Sequence, residues 1–506
     1  MPRQRIDKLG SVGLNTDIQP TSLPAQAWTE ALNVITEDGA MRSAPGRKRL
    51  FFIDIEPLYH TAFVDKGNQV IVVSNGLTTK IWQMNGDNAS IHPDAAPAWT
   101  GGTVTFANLN GVLVVNSATD GAFYWGGIGT KLVALPGWGA TWRCKAMAAF
   151  RYYLVALGMT ENGQIYPHKI RWSTSAAEGE LPTEWNILAS NDAGDDLLGE
   201  SQGELVTAVA LRDTLALVKE DAVYSLSWIG QPYIMQTQRL KGGVGARVPE
   251  SVAEMQGQVV LFTSEDLVAF DGQNSVSLVD NVIRDAIFRR ISEEWWFRAR
   301  VFVHPQTSTL LVGVPQGGKD QISDIILYDW EEKTWSHLSA QRCYGFDAAQ
   351  VSVSTATLPY DGLGRAMQVP ALPIGPAPRW TPGKTYDEQK DGSYNKGLYQ
   401  PSTPDILIYE SDDQADAAHR YWVSVYGLGN TKFDDTPQFC MAQRLGIPFE
   451  GADGLAMVTE VWPEMEGTIP INLWIGGQMH YQDTPIWDGP FQVFPRQTDS
   501  IHPMVT

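Results

Sequence analysis

Eight histidines, three cysteines and 57 acidic residues could do chemistry in this 506-residue chain, but their spacing leaves them little of it to do. A metal centre draws its ligands from short spacings such as HExxH or paired CxxC. Here the histidines are dispersed, with none at ligand spacing to another, and Cys144, Cys343 and Cys440 lie far apart. The thiols are expected to be buried, in neither a disulfide framework nor a zinc module. The nucleophile elbow GxSxG, the phosphate loop GxxxxGK[ST] and the calcium loop of an EF-hand are also missing. GGVG at Gly242–Gly245 follows a strand but lacks GxGxxG spacing and opens no helix, so a turn is expected there. Glu293 with Glu294, and Asp412 with Asp413, are consecutive. Such pairs diverge on any regular element and read as solvated charge. No catalytic residue, cofactor or metal is predicted; only a carboxylate pair assembled from distant segments would escape this reading.

Contact chemistry remains. Trp and Tyr bring large apolar plates with a polar handle, which suits them to interfaces. The candidate interface residues are Trp28, Asn33, Trp295, Trp296, Trp380, Tyr386, Tyr394 and Tyr399. Trp296 falls off a helical stripe made by Ile283, Ile287, Ile291 and Trp295 in an expected helix over Val282–Arg298, so it is either a second core contact or an exposed interface residue.

The elements that must position these residues recur. An apolar strand, a turn, an aliphatic strand, another turn and a strand ending in an aromatic appear at Thr61–Trp82, Val104–Trp125, Ala146–Trp172, Val206–Trp228, Val252–Phe270 and Val301–Trp330. The interval of roughly 40 to 50 residues is that of four-stranded propeller blades. One blade cannot bury both faces alone, so the recurring aromatics are expected to pack blade against blade. The alternative is a ligand-stacking platform. A seventh copy is read from Gly345–Ser354 with Asp405–Glu410, split by an insertion over about 358–404 that holds eight prolines and no apolar periodicity. That insertion is either a surface loop or an arm touching a neighbouring subunit.

The expected class is all-β: a six- or seven-bladed β-propeller with an N-terminal arm and a small C-terminal β-sandwich lobe. Residues 1–49 form the arm, packing on the ring or on a neighbouring subunit; 50–420 form the propeller; 421–506 form the lobe, with strands at Ala456–Trp462 and Ile469–Ile475. The net charge of −20, without any long basic run, disfavours tight nucleic-acid binding. No run approaches about 18 apolar residues and no apolar core follows the basic N-terminus, so a chain made in the cytosol without membrane insertion is expected.

Three segments carry a resemblance. Gly13–Gly46 holds Asp17, Pro20, Leu23, Pro24, Trp28, Asn33, Asp38, Gly39, Pro45 and Gly46. Lys169–Asn186 reads KIRWSTSAAEGELPTEWN, and a third stretch runs from Leu211 through YSLSWIGQPYIMQTQRLKGGVGARVPESVA to FDG at Phe270–Gly272. In this order, over roughly the first 340 residues, they resemble the tail nozzle or hub proteins of short-tailed bacteriophages, a family that includes packaged-DNA stabilisation proteins. The resemblance implies a structural virion protein, made in the host cytoplasm. It would form a homo-oligomer, a hexameric ring below the portal and adaptor, and dock a tail fibre, spike or needle. Double-stranded DNA would be retained in, and then pass through, the lumen without sequence-specific binding; the net charge of −20 adds the separate expectation that acidic side chains line it. Two other readings stand beside it. One is a propeller that binds or cleaves host-surface polysaccharide. The other is a kelch-like scaffold, whose Gly-Gly and Trp spacing these repeats do not keep.

Overall fold

The computed structural model describes residues 6, 8–85, 88–92, 99–291, 293–304, 307–351, 404–412, 420–427, 432–433, 436–447, 461, 463, 470–477 and 484–494. Trp380, Tyr386, Tyr394, Tyr399, most of the 358–404 insertion and most of Ala456–Trp462 lie outside the described residues.

Five of the expected repeats form four-stranded antiparallel sheets. The first spans Tyr59–Asp65, Asn68–Ser74, Thr79–Asn85 and Asn88–His92; the second spans Val104–Leu109, Val112–Ser117, Gly121–Trp125 and Leu132–Ala134. The third runs from Arg143–Phe150 to an outer strand at Gly194–Leu197, the fourth from Leu205–Leu211 to Met235–Gly242, and the fifth from Val252–Met255 to Ser275–Ser277. Each repeat thus gains a fourth, outer strand beyond the three that the pattern marks. The turns after the first strands explain why the chain reverses where it does. Lys66, Asn110, Arg151, Arg212 and Gln256 all adopt φ between 49 and 53°. Positive φ in two-residue hairpin turns matches the twist of the flanking strands.

The aliphatic second strands show why the sheets need one another. In Asn68–Ser74, Val72 packs toward Leu113 and Trp125 of the second sheet, whereas Ile71 and Val73 pack toward Leu407 and Val423. Leu154 and Ala156 of the third sheet meet Val114 of the second, and Val155 and Leu157 meet Leu215 and Leu217 of the fourth. The same alternation carries Ala216 and Val218 to Val259 and Leu261, and Val260 and Phe262 to Leu310 and Val312. Strands buried on both faces read as continuous apolar runs instead of alternating ones. Successive first strands also touch one another around a closed circuit, from Tyr59–Asp65 through Arg300–Val303 to Thr334–Ala349 and back. The chain is an all-β protein with a β-propeller arrangement.

The rest of the circuit is one nine-stranded sheet. It begins with Arg300–Val303, Thr309–Val314 and Ile322–Asp329, then enters the sixteen-residue strand Thr334–Ala349. The first part of that strand pairs with Ile322–Asp329 and its last part with Asp405–Ser411, with register shifts on both sides. Arg342, at φ 44°, marks the bend between the two parts. Tyr421–Tyr426 follows, then Arg47–Ile53 from the N-terminal region, and the short strands Lys432–Phe433 and Thr436–Pro437 complete the sheet.

Three expectations change. The boundary drawn at 421 falls in front of a strand that belongs to the closing sheet, and the one at 49/50 cuts through Arg47–Ile53, because sheet pairing does not follow chain order. In the C-terminal region Met441–Gln443 pairs with Glu30–Leu32, and Ile471–Gly477 forms a two-stranded hairpin with Ile486–Val493. The expected helix over Val282–Arg298 is divided into an α-helix at Arg284–Phe288 and a 3-10 helix at Glu293–Arg298. Ile291 bridges to Gln316 between them, which draws the backbone out of the helical path.

Candidate functional site

The N-terminal segment acts as a joint. Asp17 Oδ2 accepts the backbone N–H of Arg284 at 2.8 Å and its Oδ1 that of Asp285 at 3.2 Å, so a distant carboxylate satisfies the first amides of the short helix. Leu14, Trp28 and Ala31 belong to one core cluster with Val312, Ile326 and Trp335. Gly10 lies against Trp28 so closely that a Cβ there would sit 2.5 Å from the indole nitrogen. Asn33 is 2% exposed at φ 55°, a conformation that Asn tolerates better than most residues. Its Oδ1 accepts Ser339 N–H at 2.8 Å while its Nδ2 donates to the Phe439 carbonyl at 2.8 Å, tying the closing strand to the C-terminal region. Asp38 and Gly39, also at positive φ, turn the hairpin Val34–Glu37 to Ala40–Ser43.

These contacts correct the interface assignment. Trp28 and Asn33 are enclosed within the chain because each joins segments far apart in sequence. Trp296 is enclosed too: its ring stacks on Phe262 at 5.2 Å, with the Arg247 guanidinium 5.4 Å from its centre. Trp295 is half-buried beside the exposed Phe297, at 5.8 Å.

The closing sheet holds a buried ion network that sequence reading missed. Glu410, 1% exposed, receives Arg47 Nη1 at 3.2 Å and the Ser424 hydroxyl, with Arg49 Nε 3.7 Å away. Arg49 Nη2 reaches Asp412 at 2.9 Å, and Arg47 Nη2 donates to the Ser339 carbonyl at 3.0 Å. The available signal was a lone Glu at the end of the apolar run in DILIYES. At the seam with the first sheet, His60 Nδ1 lies 2.8 Å from Asp347 and its ring stacks on Tyr409 at 3.9 Å. Gly345 makes room, since a Cβ there would meet His60 Nε2 at 2.3 Å.

A cavity of about 500 Å³ opens between the fourth and fifth sheets, lined among others by Asp221, Gly245, Arg247 and Asp266. Two of its carboxylates, Asp221 and Asp266, are committed. Asp266 pairs with Arg284 at 2.8 Å and accepts the Ser277 hydroxyl at 2.7 Å. Burial alone would raise Asp221, but hydrogen bonds from Gly203, Ser201 and Gln202 and the Lys219 charge hold it below the ordinary carboxylate range. Asp120 occupies the equivalent turn of the second sheet. There burial is outweighed by hydrogen bonds from Thr119, Thr100 and Ser117. Lys219, fully enclosed, donates to the Leu198 and Ser201 carbonyls, and burial pushes its ammonium down. A Cβ on Gly245 would stand 2.2 Å from the Lys219 carbonyl, so GGVG marks a close backbone crossing.

Cys144 and Cys343 are buried and Cys440 partly so, all three unbridged. Burial raises each thiol, that of Cys343 to about 12. Thiolate is the nucleophilic form, and burial disfavours it at all three positions. Among the described residues, no three His, Cys, Asp or Glu side chains converge as metal ligands, and no helix is long and apolar enough to cross a membrane.

No protein-family model matches the chain, and no curated protein is significantly similar to it. Among solved structures, it is similar to the Cps50 (Swd1) β-propeller domain of Myceliophteria thermophila, at 6% identity and a TM-score of 0.40, over 75% of this chain and 99% of that one. It is also similar to the extracellular domain of a putative hybrid two component system from B. thetaiotaomicron, at 11% identity and a TM-score of 0.34. That match covers 62% of this chain and only 39% of the other.

Proposed function

We infer that the chain is the propeller subunit of a ring in the tail of a short-tailed bacteriophage, its nozzle or hub. The observation that carries this reading is the fit between motif and structural task. The residues of the N-terminal resemblance, Asp17, Trp28, Asn33, Asp38 and Gly39, are those that cap the helix, fill the core, stitch the closing strand and turn the hairpin. The nine-stranded sheet counts as two blades sharing Thr334–Ala349, which with the five separate sheets makes seven; the seven core clusters, one per junction, support that count. The protein is a structural virion component, not an enzyme. Six copies surround a channel, the adaptor ring above and fibre, spike or needle below, and double-stranded DNA is retained and then passed. Six times −20 is −120 in formal charge, so a lumen lined by carboxylates lets the duplex slide without sticking.

Mass photometry and negative-stain imaging of the full chain, alone and with the adaptor protein of the same genome, test this. A six-fold ring with a lumen of duplex width is the expected result. A strict monomer in both samples, or a basic lumen, would overturn it.

A further inference from the structure

The hairpin of Ile471–Gly477 with Ile486–Val493 has two unlike faces. Leu473, Ile475, Phe491 and Val493 are half-buried or buried on one; Asn472, Trp474, Trp487 and Gln492 alternate with them and are exposed on the other. The register arranges the exposed face. Asn472 stands opposite Gln492 and Gly476 opposite Trp487. Between the pairs Leu473–Phe491 and Ile475–Asp488 a bulge sets Trp474 against both Gly489 and Pro490. Each indole leans across to a glycine of the other strand. A Cβ on Gly476 would sit 2.8, 2.9 and 3.1 Å from three adjoining atoms of the Trp487 ring, so the face of that ring, not its edge, covers the glycine. A Cβ on Gly489 would lie 3.0 Å from Trp474 Cδ1. Glycine opposite an aromatic residue lets the ring lie down on the sheet. The outward side of each ring is left open, and Trp474 and Trp487 are 49% and 44% exposed.

What this face lacks narrows its ligand. Among the described residues of the hairpin it carries no charged side chain; Asp488 belongs to the opposite face. Nucleic acid, even a single strand stacked base on ring, needs Lys or Arg for its phosphates. A proline-rich peptide docks in a groove between aromatic rings, and these rings lie flat. A protein interface packs an apolar core, and here the aliphatic side chains are turned to the other face. What remains is a plane of electron-rich rings beside two paired carboxamides. A pyranose ring presents polarised C–H groups on one side, which the negative face of an indole attracts, and hydroxyls around its rim. Asn and Gln can both donate to and accept from those hydroxyls.

We propose that the exposed face of this hairpin is a binding site for an uncharged glycan chain, with Trp474 and Trp487 as stacking planes and Asn472 and Gln492 as partners for the hydroxyls. The two indoles are diagonal neighbours across the strands, so the site engages successive sugars of one chain. It adds to the ring reading above and does not depend on it.

Isothermal titration of the full-length protein with neutral hexasaccharides of glucose, galactose, mannose and rhamnose tests it, with a heparin hexasaccharide as the charged control. The expected result is saturable binding of at least one neutral chain. That binding should be at least tenfold weaker in Trp474→Ala and in Asn472→Ala/Gln492→Ala, and intermediate in Trp474→Phe, which keeps a smaller stacking plane. Unfolding midpoints serve as the folding control, and the carboxamide variant, which removes no ring, keeps the test valid should the hairpin loosen in Trp474→Ala. Failure of every neutral chain to bind, tighter binding of heparin than of any neutral chain, or binding that persists in all the variants overturns the glycan site. Wild-type rings that fall apart in Trp474→Ala, with no sugar bound by wild type, would assign the face to a second copy and overturn it too. A wild type that binds sugar but stays monomeric overturns the ring reading alone.

Discussion

The five four-stranded sheets and the nine-stranded closing sheet are built from the same kind of strand and both bury apolar clusters. Yet only the closing sheet is joined by strands from opposite ends of the chain, around a fully buried carboxylate, Glu410. In the separate sheets every strand pairs with its neighbour in sequence, and apolar side chains fill the junctions. In the closing sheet Arg47–Ile53 pairs with Tyr421–Tyr426 across most of the chain, and a buried ion network centres on Glu410. Hydrophobic packing is non-directional and accepts many registers, whereas a buried Arg–Glu pair is satisfied in one geometry. The hypothesis that follows is that the seam pair selects the closing strand more than it adds net stability, which the double replacement below tests. It is the junction where the wrong strand could most easily add, because the incoming strand arrives from the far end of the chain.

Breaking the seam pair should give the largest effect. Arg47→Met leaves Glu410 buried with Arg49 at 3.7 Å and should cost about 3–5 kcal/mol in urea unfolding. Hydrogen exchange should rise at Arg47–Ile53, Asp405–Ser411 and Tyr421–Tyr426 while the second to fourth sheets keep their protection. The double replacement Arg47→Met with Glu410→Leu should recover most of the stability; failure to recover would mean that the pair contributes more than charge compensation. In a separate sheet, Leu217→Ala removes a fully buried side chain from the third to fourth junction and should cost about 2–5 kcal/mol. Its exchange should rise on both sides of that junction, the opposite spatial pattern.

A smaller loss is expected at the joint between the two regions. Asn33→Ala abandons three hydrogen bonds, to Ser339 N–H, the Ser339 hydroxyl and the Phe439 carbonyl, and keeps a positive φ that Ala dislikes. A cost of about 1–3 kcal/mol follows from the unpaired groups. Asn33→Gly should relieve only the backbone part, and equal midpoints for the two variants would show that the conformation contributes little.

The smallest effect should appear with acid. Asp120 and Asp221 have folded pKa values held below their unfolded ones, so their contribution is present above about pH 3.9 and is lost as pH falls through the folded values. Midpoints measured from pH 6 down to pH 3 should fall in the wild type and fall less steeply in Asp120→Asn. A parallel decline would separate the turn caps from the acid response.

The repeats were legible because each is local. The aliphatic runs of Asn68–Ser74 or Thr214–Lys219 and the aromatics closing the third strands mark their sheets within some twenty residues. The outer strands were not, since Gly194–Leu197 and Ser275–Ser277 are short and their apolar content is low. Trp296 was ambiguous for a related reason: one break in the backbone at Ile291 decided whether its ring reached Phe262. Arg47 and Glu410 gave almost no signal, because nothing in either segment records that the other lies beside it. Trp28 and Asn33 were read as interface residues, since burial of a side chain that links distant segments of one chain has no local mark.

The amino-acid sequence by itself determined the all-β class, the repeated hairpins and the positions of their turns, through propensity and apolar pattern acting over a few residues. Only the tertiary structure decided how the circuit closes, where the strand Thr334–Ala349 bends to serve two partners, and which polar groups share the seam. Those outcomes depend on pairings between residues hundreds of positions apart. Their free energy includes loop closure and the desolvation of charge, and it becomes favourable only when the whole ring is assembled.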